Sequence, residues 1–343
     1  MQSPKEQPIN PTRILIIGPA WVGDMVMAQS LYLTLQQLYP HSQIDVVAPS
    51  WSLPLLQRMP QVRQAHELAV GHKQLGLYQR LKLAQTLRMQ HYDQAIVLPR
   101  SLKAALLPWF ARVPQRTSYR GEWRYGLIND MHDLDKTVLS KTVQRFVALA
   151  YPRSATLPPP IPAPQLTIDV ANQQRLLTTL GLNTDKPIVG MMPGAEYGPA
   201  KQWPMGSYRA LADQCSKAGK QVWLLGSAKE QDIGEQIAHD LPHVYNLCGK
   251  TRLHDAIDLL ALTQVCVTND SGLMHIACAT GRPVVAIYGS STPNYTPPLS
   301  EQATVVYHRL SCSPCFKRTC PLGHTQCLTG IGVDEVLQAV NKY

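Results

Sequence analysis

The sequence predicts an α/β protein made of two doubly wound halves, each a parallel sheet covered on both faces by helices. Three observations carry this reading. Short apolar runs alternate with amphipathic stretches of helical period, the pattern of strand–helix–strand units. Those runs end in loops of small residues, where a chain turns from strand to helix. Near the middle, Leu157-Pro158-Pro159-Pro160-Ile161-Pro162-Ala163-Pro164 puts five prolines in eight residues, which excludes helix and central strand and reads as a stiff linker. At 343 residues with 45% hydrophobic composition the chain is long enough for two cores. The expected domains are 1–156, a linker at 157–165, and 166–330. A final helix at 331–343 is placed to pack back on the first domain.

Taken in order, 14–17 is an apolar strand, followed by the loop Gly18-Pro19-Ala20-Trp21-Val22-Gly23-Asp24 and a helix over 26–38. Residues 44–48 read as a strand, 51–59 as a short helix, 65–70 as a strand and 75–89 as an amphipathic helix with Arg80, Lys82 and Arg88 on its polar side. A strand at 94–98, a helix at 102–110, a strand at 116–119 and a helix at 137–150 complete the first half. After the prolines come a helix at 170–180 ended by Gly181, a strand at 187–192, a helix at 207–218 ended by Gly219 and a strand at 221–225. A helix at 230–240, a strand at 244–247, a helix at 253–262 and a strand at 265–268 follow. The last elements are a helix at 273–279, a strand at 284–288 and a short helix at 333–340. The segment 14–35 has nearly the length of a membrane span, but Gly18, Pro19, Gly23 and Asp24 break it, and its pattern changes from continuous to helical.

With 32 basic and 23 acidic residues the net charge is +9, which favours anionic partners: a phosphorylated ligand or an anionic membrane surface. The basic residues are scattered, without zinc-finger spacing or an RNA-binding aromatic signature, so nucleic acid is not expected. The polar, Pro-rich stretch 1–12 lacks the charged and apolar regions of a signal peptide. A cytoplasmic protein with mostly reduced cysteines is expected.

The candidate chemistry lies in the loops. Asp24 is the single charge between positions 14 and 35; a carboxylate there must be solvated, act as a helix cap, or be used. In the second half, Pro193-Gly194-Ala195, Gly226-Ser227 and Asp270-Ser271-Gly272 each follow a strand. Small residues let backbone N–H groups approach a ligand, and a helix N-terminus attracts phosphate. None of these loops has the spacing of a phosphate-binding G-x-x-x-x-G-K-[ST] loop or of the dinucleotide fingerprint, so a standard kinase or dehydrogenase is not supported. His275 falls one turn into the helix after Gly272. Lys201 is the one base in the long loop 194–204 and suits a diphosphate; a solvated lysine is the plain alternative. Asp133-Leu134-Asp135 matches a metal-holding D-x-D pattern that is common by chance. Cys312, Cys315, Cys320 and Cys327, with His308 and His324 nearby, could form a tetrahedral zinc site. The spacings after the first pair match no common zinc module, so packing thiols or a disulfide remain open, and a catalytic role is not expected.

Four stretches together resemble glycosyltransferase family 9, the ADP-heptose-dependent heptosyltransferases: Gly18-Pro19-Ala20-Trp21-Val22-Gly23-Asp24-Met25-Val26-Met27, Arg120-Gly121-Glu122-Trp123-Arg124-Tyr125-Gly126, Pro193-Gly194-Ala195-Glu196-Tyr197-Gly198-Pro199-Ala200-Lys201 and Thr268-Asn269-Asp270-Ser271-Gly272-Leu273-Met274-His275. The resemblance spans position 13 to the final helix. It implies a GT-B architecture of two Rossmann-like domains facing each other across a cleft, with the acceptor bound by the first and the nucleotide sugar by the second. It also implies inverting, metal-independent transfer of L-glycero-D-manno-heptose from ADP-heptose to the first heptose of the lipopolysaccharide inner core, on Kdo-lipid A at the inner face of the inner membrane. No cofactor is required on this reading. Asp24 matches the family's general base. Gly194, Lys201, Gly226, Ser227, Glu230, Asp270, Ser271, Gly272 and His275 fall to the nucleotide sugar, with Glu230 at the ribose, and Arg120 and Arg124 to acceptor anions. A related transferase using a UDP or GDP sugar, and a non-catalytic two-domain binder of a phosphorylated ligand, are the competing readings.

Overall fold

The computed structural model describes residues 10–71 and 74–343; positions 1–9 of the polar N-terminal stretch lie outside it. Two compact units form. One comprises the residues up to Ala20, Ala28–Leu139 and Val143–Pro162; the other comprises Trp21–Met27, Ser140–Thr142 and Ala163–Tyr343.

The first unit holds β1 (Arg13–Ile17), β2 (Gln43–Ala48), β3 (Val62–Glu67), β4 (Gln94–Val97), β5 (Gln115–Tyr119) and β6 (Asp130–His132), in the order β3-β2-β1-β4-β5-β6. Every neighbouring pair is parallel. Its helices are α1 (Val22–Leu38, whose first residues belong to the second unit), α2 (Leu53–Leu56), α3 (Leu77–Arg88), α4 (Leu102–Phe110) and α5 (Thr142–Ala148). The second unit repeats the plan. It has β7 (Ile188–Met192), β8 (Gln221–Leu224), β9 (Val244–Asn246), β10 (Val265–Asn269), β11 (Val284–Tyr288) and β12 (Ala303–Tyr307), in the order β12-β11-β10-β7-β8-β9, again all parallel. Around this sheet stand α6 (Val170–Leu180), α7 (Met205–Lys217), α8 (Gln231–Ala238), α9 (Leu253–Leu260), α10 (Gly272–Ala279), α11 (Gln326–Thr329) and α12 (Val333–Val340).

Counted from the first strand of each unit, both sheets run 3-2-1-4-5-6, the order that reverses direction beside the first strand and opens a crevice there at the carboxyl ends. Central strands are apolar on both faces because helices cover both: Ile14, Leu15 and Ile16 in β1 and Val265, Cys266 and Val267 in β10 are all 0% exposed. In the first unit Leu15, Val97, Leu87 and Leu107 join strand to helices; in the second, Val189, Leu224, Val267 and Ile287 meet Leu211, Ile237 and Val340.

Three expectations change. The final helix α12 buries Val336, Ala339 and Val340 in the second unit's core beside β10 and β11, so the apolar face assigned to the first domain is used in its own unit. Asp24 falls in the first turn of α1, within Trp21–Met27, which packs with the second unit rather than the first. Both sixth strands, β6 and β12, lie where no strand was expected. The segment 14–35, of nearly span length, is β1, a loop and α1, as its broken pattern predicts, and among the described residues no helix is long and apolar enough to cross a membrane.

Candidate active site

The crevices at β7 and β10 collect most of the predicted residues. Asn269, the last residue of β10, ties the two strand ends together. Its Oδ1 accepts from the Trp203 N–H at 2.9 Å, and its Nδ2 donates to Pro193 O at 2.8 Å and Gly194 O at 3.3 Å. Trp203 is anchored in turn by its indole N–H on Ile331 O at 3.1 Å. The loop carrying Lys201 is thereby held against the loop carrying Asp270.

Lys201 Nζ lies 2.5 Å from Asp270 Oδ2, with the lysine side chain 16% exposed and the aspartate 4%. Thr296 Oγ1 donates to the other Asp270 oxygen at 3.1 Å, and the Tyr197 ring lies 5.1 Å from Nζ. The ammonium is thus fixed on an anchored carboxylate in a crevice, where screening is weak. Beside it, Ser271 begins α10 without a side-chain cap, leaving the first N–H groups of that helix to another acceptor.

The first turn of α1 interlocks with this region through glycines. A Cβ on Gly23 would lie 2.7 Å from His275 Cδ2, and one on Gly272 would lie 2.8 Å from Val22 Cβ. Only glycine permits that approach, and it brings Asp24, in the first turn of α1, into the field of Lys201 and Asp270. Burial pushes the Asp24 carboxyl up to about 6; Lys201 draws it down and Asp270 adds to the rise. His275 is 4% exposed, and burial pushes its imidazole down to about 4, with Asp270 opposing and Lys201 assisting. It is therefore neutral near pH 7, and its buried Nδ1 has no hydrogen-bond partner.

A second cluster forms at the ends of β7 and β8. Glu230 Oε2 accepts from Ser227 N at 2.8 Å and Ser227 Oγ at 2.6 Å, a capping box. Its other oxygen faces Gly194, where a Cβ would lie 2.9 Å away. Gly226 packs above Glu230 and Cys248. Gly194, Gly226, Ser227 and Glu230 therefore share one wall.

The arginines diverge. Arg120 is exposed and pairs with Asp133 at 3.1 Å. Arg124 is 1% exposed; its terminal nitrogens donate to Pro99 O at 2.9 Å, Ser118 Oγ at 2.8 Å and Tyr119 O. Burial, with Arg100 nearby, pushes it down to about 10. Arg124 ties the ends of β4 and β5 together, which corrects the expectation that it grips an acceptor anion. In the D-x-D stretch, Asp133 faces Arg120 while Asp135 accepts from Thr137 N at 2.8 Å as a local turn.

Sequence reasoning left Asn269, Tyr197 and Thr296 without roles. A polar Asn directly before Asp270-Ser271-Gly272, at the buried end of an apolar strand, was the available signal.

With that geometry in place, comparisons with known proteins are direct. A profile of glycosyltransferase family 9 (heptosyltransferase) matches residues 80–326. The chain is 45% identical over 344 residues to lipopolysaccharide heptosyltransferase 2 of Escherichia coli, covering 96% of this chain and 97% of that one. It is 47% identical over 307 residues to lipooligosaccharide heptosyltransferase 2 of Haemophilus influenzae, covering 85% and 88%. The solved structure of E. coli ADP-heptose lipopolysaccharide heptosyltransferase II superposes with a TM-score of 0.86 at 43% identity, over 96% of this chain and 98% of that chain. The fold class is the GT-B α/β fold of those structures. The chain belongs to glycosyltransferase family 9, the heptosyltransferases.

Proposed function

We infer that this chain transfers L-glycero-D-manno-heptose from ADP-heptose to the first heptose of a lipopolysaccharide inner core, with inversion and with fixed protein donors in place of a catalytic metal. The observation that carries the reading is the half-buried carboxylate of Asp24, raised to about 6 and sharing a field with Lys201 and Asp270. A base in that range is largely ionised at neutral pH, yet more basic than an ordinary carboxylate. As the acceptor oxygen bonds to the anomeric carbon, its proton passes to Asp24. The bond from that carbon to the β-phosphate oxygen breaks, and ADP leaves with the electron pair. Attack on the face opposite the leaving group inverts the centre.

Charge growing on ADP needs donors already in place. Lys201 and the uncapped N–H groups at Ser271 and Gly272 supply them, with Asp270 holding the lysine in position. The unpartnered Nδ1 of His275 and the Glu230 oxygen beside Gly194 are assigned to donor hydroxyls, the latter on the ribose. Arg120 is assigned to anions of the acceptor. For the lipid-borne acceptor, the first unit offers a face on α3 and α4 where Leu77, Tyr78, Leu81 and Trp109 are 44–73% exposed. That face rims a cavity of about 630 Å³ lined also by Arg88, Arg112 and Arg116, a composition suited to an anionic membrane surface.

The test is turnover of ADP-heptose on heptosyl-Kdo-lipid A by the native chain and by Asp24→Ala. Loss of about 10²–10⁴ in kcat is expected for a general base, with ADP affinity nearly unchanged. Normal turnover by the variant would remove Asp24 as the base, and equal use of UDP or GDP sugars would point to a different transferase.

A further inference from the structure

The cysteine-rich segment is not used by the transfer chemistry. Between β12 and α11, residues 308–325 contain no helix or strand, and not one of them is buried. Segments of this length without secondary structure are uncommon inside compact domains, and this one has no apolar core of its own. It is nonetheless tied closely to the donor loops. Phe316 N donates to Ser290 O at 2.8 Å, Ala200 N to Arg318 O at 3.1 Å, and Tyr197 Oη to Phe316 O at 2.8 Å. Arg318 stacks on Tyr197, 5.3 Å from the ring centre, while Lys201 approaches the same ring.

Cys312, Cys315, Cys320 and Cys327 all carry free thiols and line one small cavity of about 20 Å³, room for one water-sized body. Of the four, Cys327 is buried and Cys312, Cys315 and Cys320 are half-buried, so the cavity opens from the segment's surface toward Cys327. Ser290, 1% exposed, also lines the cavity, and its buried Oγ has no partner. Of the nearby imidazoles, His308 is engaged by Glu335 at 2.9 Å, while His324 lines the same cavity and accepts at Nδ1 from Gln326 N at 3.0 Å.

We propose that Cys312, Cys315, Cys320 and Cys327 form a tetrathiolate site for a thiophilic divalent metal, zinc in the first instance, which clips the segment against the loop bearing Lys201. Four sulfur ligands select such ions. Loading exchanges the thiol protons for one M²⁺ and leaves a site of charge −2, offset by Arg309, Lys317 and Arg318 in the same segment. Among the described residues no three such side chains already stand in ligand positions, so loading requires the cysteines to rotate about their Cα–Cβ bonds into the cavity. The Ser290 hydroxyl then donates to one of the sulfurs.

The experiment is elemental analysis of the full, untagged chain, with Co²⁺ as a spectroscopic probe. About one zinc or iron per chain is expected, with thiol-to-cobalt charge-transfer bands and tetrahedral d–d absorption after exchange. The paired change Cys312→Ser and Cys315→Ser should abolish both signals. Stripping the metal should lower the melting temperature and raise KM for the donor more than it lowers kcat, whereas loss of Asp24 changes kcat. Metal far below one per chain, with four thiols titrating freely in the native protein or with disulfides found by mass, overturns the proposal. Those readings need no variant to fold and do not depend on the donor's identity.

Discussion

As the proposed base, Asp24 links pH, stability and rate in one residue. Burial raises its folded pKa to about 6 from 3.8, so the folded chain holds the proton more tightly than the unfolded one. Its contribution to stability is therefore full below the unfolded pKa and is lost as pH rises from about 4 to about 6. At pH 7 the ionised carboxylate costs on the order of 3 kcal/mol, from about two pKa units at ~1.36 kcal/mol each. Asp24→Asn should accordingly melt higher than the native chain at pH 7 but not at pH 4; a pH-independent difference in calorimetry would contradict the assignment. The same group predicts that kcat/KM falls about tenfold per pH unit below about 6 and levels off above it. A flat profile from pH 5 to 7 would remove Asp24 from proton transfer. At Lys201, replacement by Ala should weaken ADP binding about 10- to 100-fold, matching roughly 1.5–3 kcal/mol for a charged hydrogen bond, while adenosine binding holds. Equal loss for both ligands would take Lys201 away from the phosphates.

At the scale of elements, Asn269 is the joint between β10 and the loop after β7. Asn269→Ala strands the buried Trp203 N–H and the Pro193 carbonyl, at about 1–3 kcal/mol each. Asn269→Asp keeps the acceptor for Trp203 N but loses the donor to Pro193 and Gly194. Both variants should unfold at lower urea concentration and bind ADP more weakly, and native-like behaviour of Asn269→Ala would show that the loops are held by other means. This joint was not legible in the sequence, because its partners lie 66 and 76 residues away. What was legible is what one element encodes alone: α4, α6, β11 and α12 begin and end where their periodicity says. The two unexpected strands are the sixth of each sheet. Edge strands are covered less and need less apolar sequence, and β6 is only Asp130–His132. Asp24, Lys201, Asp270 and His275 stood out because each is a polar group beside a strand-end turn. Arg124 misled because the carbonyls that absorb its charge, Pro99 and Tyr119, reach it only through folding.

Over the whole molecule, the net charge of +9 has a consequence that no single loop reveals. A substrate carried on a lipid is met at a surface, and the first unit presents both ingredients of surface binding on α3 and α4. Trp109 is 45% exposed and Met89 72%, with Arg88 and Arg112 beside them. On the proposed membrane contact, an aromatic at the headgroup level and basic residues worth about 1 kcal/mol each near an anionic leaflet would give modest, reversible docking. The attraction fades as the Debye length shrinks below about 10 Å above 0.1 M salt. Co-sedimentation should show binding to vesicles containing phosphatidylglycerol at low salt and little to neutral phosphatidylcholine vesicles, with release as salt rises. Trp109→Ser should weaken the bound fraction at every salt concentration. Arg88→Glu with Arg112→Glu should chiefly flatten the salt dependence, since it removes the charges being screened. Neither change touches Asp24 or Lys201, so turnover on a soluble, delipidated acceptor should stay at the native rate while turnover on vesicle-borne acceptor falls. Equal binding to neutral and anionic vesicles, or an equal loss of rate on both acceptors, would show that this face does not select the membrane.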